Sequence, residues 1–361
     1  MMKSLMRALA AGTLIVAAGL VGASQLALKS GHPDVYYVKQ GDTLWDISSR
    51  FLDNPWQWPE LWHHNEEIDN PHLIYPGDVI RLTYIDGQPQ LVVERGEEAR
   101  TVKIEPDDDG VVRLSPEVRT LPLSAAIPAI PMDAIQTFLN EALVVSREEI
   151  AEAPYIIGGE DKRVIYGRGD LVHARDPFHS WERLVQDYGF YRVGERYVDP
   201  ETNEILGFEA LQIGTGRAVS QEGDLLTLRV RTSKEDLRAQ DRVMTTQERT
   251  MQSVLYPSAP DFDVDARIIR FFGRLSSVAR NDVVVINRGV RDGLRNGNVL
   301  EVMQAGEVVR DRAREDVVRL PSSRAGTIVL FNVFEKVSYG LVIESVRPIY
   351  MQDMVRTPSI R

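Results

Sequence analysis

The sequence predicts an α+β chain. A compact βααβ module comes first, followed by a mainly-β region of two repeated small domains of barrel or sandwich type. Three observations predict this. Between residues 36 and 84, two strand-like ends flank two helical segments in under fifty residues. From about residue 155 onward, short runs alternate apolar and polar side chains between turn signals, as half-buried strands do. Residues 170–245 also align on the last third of the chain at one constant shift of 112, which is the mark of an internal repeat.

The first thirty residues are read as a leader. Lys3 and Arg7 form a basic start, and no charge follows from Ala8 to Leu28. Val21-Gly22-Ala23 fits a small-residue cleavage site, so residues 1–23 are expected to be a secretory signal. The alternative is an uncleaved membrane anchor, because the 21-residue uncharged run is just long enough to span a bilayer. Its Ala and Gly content makes it only weakly hydrophobic, which favours cleavage. Either reading places the rest of the chain outside the cytoplasm, and the expected location is the periplasm. Cleavage would leave a mature charge of −13, since residues 1–23 carry Lys3 and Arg7 and no acid.

The module opens on Tyr36-Tyr37-Val38, whose residue types suit a strand. Gly41 breaks that strand. Asp42 and Thr43 suit a helix N-cap, and Asp46 lies three after Thr43, close to a capping box. Leu44, Ile47 and Phe51 follow at helical spacing and share one face. A second helix is expected from Trp58-Pro59-Glu60, with Pro59 at the first helical position and Glu60 at the positive end of the helix. Tyr75-Pro76-Gly77-Asp78 then turns the chain into the alternating strand Val79-Ile80-Arg81-Leu82.

These residues carry a resemblance. VKQGDTLWDIS, the Phe51 that ends helix one, and the closing N-x-x-x-I-x-PGD-x-I-x-L together resemble the LysM domain, a small module that binds peptidoglycan and chitin. The resemblance covers about an eighth of the chain. The longer, Trp-rich middle NPWQWPELWHHNEE departs from the usual pattern. In that family N-acetylated glycans lie in a shallow groove between the β1–α1 turn and the α2–β2 turn. The resemblance therefore implies one wall of Gly41, Asp42, Thr43 and Leu44. The opposite wall is Pro71, His72, Leu73, Ile74 and Tyr75. The chemistry suits the ligand: turn backbone offers N–H and C=O to an acetamido group, Gly41 lets the backbone approach closely, and Leu44, Leu73 and Ile74 would cover the methyl. The competing reading makes Leu44 and Ile74 plain core. Trp45, Trp56, Trp58 and Trp62 are four of the five tryptophans. Packing of a small core is the favoured role for them, and stacking on sugar rings is the alternative.

Residues 85–155 read as a mixed α+β segment or linker. Leu91-Val92-Val93, Thr101 to Ile104 and Val111 to Leu114 are strand-like, and LPLSAAIPAIP (residues 121–131) punctuates the chain. Pro131 to Leu143 has helical spacing in Ile135, Phe138 and Leu139. Ser146-Arg147-Glu148-Glu149 reads as a capping box that opens a short helix.

The two β domains are placed at 156–250 and 262–358. At the constant shift, Asp170 and Val172 meet Asp282 and Val284, and Gly214-Thr215 meets Gly326-Thr327. Val230 and Ser233 meet Val342 and Ser345. Gln240, Asp241, Val243 and Thr245 meet Gln352, Asp353, Val355 and Thr357. The Asp-x-Val-x-Thr ends at Asp241 and Asp353 are expected to be strands entered by a turn, as at Pro76-Gly77-Asp78-Val79-Ile80. The second copy, with INRGVRDGLRNGNVLEV, resembles the C-terminal domain of flagellar T-ring assembly proteins. Leader, LysM and β region together resemble the family of type IV pilus secretin-associated proteins. That resemblance implies a partner, the multimeric outer-membrane secretin, alongside peptidoglycan glycan strands.

Composition narrows the chemistry. The net charge of −11 argues against nucleic-acid binding, which needs a basic face. It also rules out long-range attraction to acidic peptidoglycan, so recognition falls on the neutral sugar backbone. There are no cysteines, which removes thiolate nucleophiles, thiolate metal sites and disulfides. Six histidines remain. His63-His64-Asn65-Glu66-Glu67 is not the HExxH order, and His173 and His179 near Asp170 and Asp176 have no further ligand nearby in sequence. There is no G-x-S-x-G elbow, and no carboxylate pair stands out as a muramidase would need. Arg168-Gly169-Asp170 and Gly158-Gly159-Glu160-Asp161 are read as turns. The expectation is a non-enzyme with no cofactor and no metal. The competing class is a wall-remodelling enzyme or an activator of one.

Overall fold

The computed structural model describes residues 26–62, 74–85, 87–94, 127–131, 134–135, 138, 142–160, 163–178, 187–245, 255–272 and 276–359. The expected leader, the runs at 101–104 and 111–114, and His63, His64, Pro71, His72, Leu73 and His179 lie outside these residues. No helix among the described residues is long and apolar enough to cross a membrane.

The front module has strand β1 (Val35–Tyr37), helix α1 (Leu44–Phe51), a 3-10 turn at Pro55–Gln57, and helix α2 (Trp58–Trp62). Strands β2 (Val79–Ile85) and β3 (Gln88–Glu94) complete a three-stranded antiparallel sheet in the order β1-β2-β3. Thr43 caps α1, its hydroxyl accepting from the Asp46 N–H at 3.1 Å, a cap worth about 1 kcal/mol. Helical spacing buries Leu44, Ile47 and Phe51 together with Trp58, Leu61, Ile74, Ile80 and Leu91. Two details differ from the sequence reading. Trp58, not Pro59, opens α2, because the preceding 3-10 turn runs straight into it. Leu91-Val92-Val93 belongs to this module as a third strand, not to a separate linker.

Beyond it, the short β4 (Ala142–Val145) leads to α3 (Arg147–Glu152). Leu143 is thus on a strand, while residues 134–135 and 138 are helical. At the start of α3 the capping box is complete: Ser146 Oγ accepts from Glu149 N–H at 3.0 Å, and Glu149 accepts from Ser146 N–H at 2.6 Å. Strands β5 (Tyr155–Gly159), the short β6 (Ile165–Tyr166), β7 (Leu171–Arg175), β8 (Asp187–Val198), β9 (Ile205–Glu222), β10 (Leu225–Ser233), the short β11 (Leu237–Arg238) and β12 (Arg242–Thr245) follow. The sheet runs β10-β7-β5-β12-β8-β9-β4, and β9 also pairs with β10. That last pairing closes β5-β7-β10-β9-β8-β12 on itself and leaves β4 as an added strand beside β9. The C-terminal part is a closed six-stranded barrel. It comprises β13 (Asp265–Phe271), β14 (Val283–Ile286), β15 (Val299–Gln304), β18 (Ser323–Val333), β19 (Ser338–Ser345) and β20 (Met354–Arg356). A hairpin, β16 (Val308–Asp311) and β17 (Asp316–Arg319), stands between β15 and β18.

The two rings share their pairing. Leu228↔Val172, Tyr191↔Gln212 and Ile156↔Ala174 in the first become Gly340↔Val284, Met303↔Arg324 and Ile268↔Ile286 in the second. Each pair is shifted by 112. The strand-entry turns match too. Asp170, Asp241, Asp282 and Asp353 each accept the backbone N–H three residues earlier, at 2.8–2.9 Å. Asp78 does the same to Tyr75. The residue before each aspartate is left-handed, with φ of +95° at Gly169, +76° at Gln240, +73° at Asn281, +68° at Gln352 and +96° at Gly77.

One apolar cluster joins the three units. Trp45 and Trp56 of the front module and Tyr197 and Leu206 of the β8–β9 hairpin share it with Val283, Val285, Phe331, Tyr339, Leu341 and Ile343 of the barrel. Ion pairs ring it, among them Arg280–Asp46, Arg291–Glu204 and Arg267–Glu201. Exposed pairs of this kind contribute about 0–1 kcal/mol each, so the buried aromatic and aliphatic surface dominates the junction.

Candidate functional site

The first wall of the groove is built by the turn into α1. Gly41 has φ +88°, a left-handed value that favours glycine. The Asp42 carboxylate accepts from the Tyr36 hydroxyl at 2.9 Å and from the Lys39 N–H at 2.8 Å, so it fixes the turn. Burial, with that bond to Asp42, pushes the Tyr36 phenol above its usual range, while Arg50 lies over the ring. The Thr43 hydroxyl is committed to the cap and donates to Asp46 at 2.8 Å. Leu44 is fully buried. What this wall offers a ligand is therefore backbone. Leu44 and Trp45 are the first two helical residues, and their N–H groups have no partner within the helix.

On the second wall, Ile74 is also fully buried, and Tyr75 is half-buried with its N–H given to Asp78. The main-chain acceptor on this wall is the Ile74 carbonyl, which the Ile127 N–H occupies. Of the nine residues expected to line the groove, the structure thus places Gly41, Asp42, Thr43, Leu44, Ile74 and Tyr75 at the two turns. Their side chains serve turn, cap and core, and the polar groups left between the two turns are main-chain.

Both walls are already in contact with another part of the chain. The Leu44 N–H donates to the Pro128 carbonyl at 3.0 Å, and the Trp45 N–H to the Ala129 carbonyl at 3.2 Å. The Ile127 N–H donates to the Ile74 carbonyl at 2.8 Å. Ile127 and Ala129 are buried in the module's own core, Pro128 faces outward, and Ile130 enters the cluster with Trp45 and Trp56. By sequence, LPLSAAIPAIP reads as punctuation and not as part of the groove. The available signal was Ile127 and Ala129 alternating around Pro128, with two prolines that hold the preceding residues extended.

Trp45, Trp56 and Trp58 are buried, Trp58 completely, so packing is their role here. A cleft of about 270 Å³ lies between α1 and the barrel, lined by Lys29, Asp46, Arg280, Glu301, Arg324 and Glu344 among others. Its charges pair with one another, Arg280 with Asp46 and Arg324 with both Glu301 and Glu344. The remaining candidates are structural. His173 Nδ1 is 3.1 Å from the Thr227 hydroxyl across β7 and β10. Asp170 holds its turn, and Gly158-Gly159 end strand β5. Among the described residues, no three His, Asp or Glu side chains are grouped as metal ligands.

Residues 36–83 match the LysM domain family. The front module is therefore a LysM domain, and that family binds peptidoglycan and related carbohydrate. The YqbP protein of Bacillus subtilis (strain 168) is 33% identical over 60 residues, covering 14% of this chain and 27% of that protein. The chain thus spans about a quarter of the length of this curated relative.

Proposed function

We propose that this chain is an exported, non-catalytic tether. Its LysM domain holds peptidoglycan glycan strands, and its β region holds a multimeric envelope partner, which we read as the outer-membrane secretin ring of a type IV pilus. The observation that carries the first half is the LysM fold over residues 36–83, whose two turns present the Leu44 and Trp45 N–H groups and the Ile74 carbonyl on facing walls. An acetamido group needs one acceptor for its N–H and one donor for its carbonyl, and this groove has both. The second half is supported by the β region. We read the two rings as two copies of one domain, since their pairings and turn aspartates recur at a shift of 112. Repeated rigid surface suits a scaffold. A multimeric partner would also raise weak single-module affinity through avidity.

Co-sedimentation of the full chain with purified peptidoglycan tests the glycan half, and assay of soluble sugar released in the same tube tests the non-catalytic half. Pelleting without release is expected. Release of fragments would favour the wall-remodelling reading. Capture of the secretin by the immobilised chain, lost when the β region is altered, is the expected result for the partner. N-terminal sequencing of the mature protein is expected to begin at Ser24, whereas an intact Met1 would make the segment an anchor.

A further inference from the structure

We propose that the LysM groove is self-occupied. Residues 127–130 lie in it as a strap and compete with glycan for the same main-chain groups. This rests on the reading of that groove as the glycan site. The argument is one of donors and acceptors. Helix α1 has few N–H groups to spare at its start. The Asp46 N–H is taken by the Thr43 hydroxyl, and the Ile47 N–H by the Thr43 carbonyl. Leu44 and Trp45 remain, and the strap carbonyls of Pro128 and Ala129 accept from both. On the far wall, the Ile74 carbonyl accepts from the Ile127 N–H. An acetamido group would need a donor from the first wall and the acceptor from the second, and the strap uses both.

The strap is also shaped for the place. Ile127 precedes Pro128 and Ile130 precedes Pro131, so both are biased to extended backbone before docking, and less ordering remains to oppose it. Alternation then points Ile127 and Ala129 into the cluster that holds Leu44 and Ile74, where the acetamido methyl would sit. Pro128 faces outward and has no N–H to leave unpaired. Ile130 continues into the junction with Trp45 and Trp56, which ties the strap to the packing of the LysM domain on the barrel. The free chain is thus in a closed state, and its apparent glycan affinity is the intrinsic affinity reduced by the open fraction. Whatever loosens the junction around Trp45, Trp56 and Ile130 opens the groove.

The test uses the full chain with a chitin oligosaccharide as probe. Two variants, Ile127→Asp and Ala129→Arg, each put a charge where the docked strap is buried, and circular dichroism checks that both remain folded. Release of the strap is expected to tighten binding by about tenfold or more. Equal or weaker binding by folded variants would overturn the competition and leave the glycan site intact. No binding by parent or variants would overturn the glycan reading and this inference with it. A second measurement needs no variant. Amide exchange in the parent should show Leu44, Trp45 and Ile127 protected, and added probe should deprotect Ile127 alone while Leu44 and Trp45 pass to the sugar. Fast exchange of all three without probe, or continued protection of Ile127 with probe bound, would overturn it.

Discussion

The two β rings have one plan and two different hairpins. Val198 pairs with Ile205 at the tip of the first, and Arg310 pairs with Val317 at the tip of the second, 112 residues on. Yet the β8–β9 tip docks on the neighbouring barrel, and the β16–β17 tip is exposed among the described residues. Tyr197 and Leu206 are 2% and 5% exposed, whereas Val317 and Val318 are 67% and 44% exposed. Charge differs in the same way. The first tip gathers Glu195, Asp199, Glu201 and Glu204 against Arg270, Arg288, Arg267, Arg291 and Lys336. The second alternates Arg310-Asp311-Arg312 and Arg314-Glu315-Asp316, which suits no single-signed surface. Strand register is set by alternation and turn aspartates, which the rings share. Docking is set by a handful of side chains at the tip, which they do not share.

Aromatic truncation at the docked tip is the strongest challenge to this contrast. Tyr197→Ala is expected to lower stability by about 3–5 kcal/mol, as loss of a buried aromatic does. Val309→Ala, the matching position, should stay within about 0.5 kcal/mol. Denaturant unfolding of both reads the difference, and equal losses would mean the second tip is also docked. The shared part of the plan predicts equality instead. Asp170→Ala and Asp282→Ala each remove the acceptor of a strand-entry turn N–H and are expected to cost about 1–3 kcal/mol alike. A difference between them of the same size as the loss would break the equivalence of the rings.

The smallest effect is in pH. The Arg291 and Lys336 side chains hold the Glu204 carboxyl down to about 2. Its folded value is below its unfolded one, so its stabilising contribution is present above about 4.5 and is lost as pH falls toward 2. Burial pushes Asp199 up, but N–H bonds from Glu201 and Thr202, the Asn287 amide and Arg288 outweigh it and leave it lowered, which adds in the same direction. Unfolding midpoints measured down that range should fall less for Glu204→Gln than for the parent.

Much of the fold was legible because it is local. Gly41, Thr43 and the PGD turn announce the LysM domain, and Ser146 with Glu149 announces α3. Asp78, Asp170, Asp241 and Asp353 mark strand starts, and the constant shift read in the sequence also relates three strand pairings of the two rings. The docking of distant pieces was harder to read. Ile127-Pro128-Ala129 declares its extended backbone but not the groove it lies in, since three hydrogen bonds to residues fifty and more positions away leave no local pattern. The covered outer face of the second barrel did leave a trace. Val283-Val284-Val285-Ile286 is apolar on both faces and buried on both, where the matching Leu171-Val172-His173-Ala174-Arg175 alternates. An unbroken apolar run of this kind signals cover on two sides. The two turns expected to flank the groove are formed, but the polar groups they bring there are main-chain, which side-chain identity does not display.

The claim that this chain holds cell-wall glycan through the LysM domain is tested most directly by retention on purified peptidoglycan. The full-length parent and the folded Ala129→Arg variant would be compared side by side. The account predicts that both pellet, the variant at lower peptidoglycan concentration, with no soluble fragments released. Both proteins remaining in the supernatant, or fragments appearing there, would contradict it.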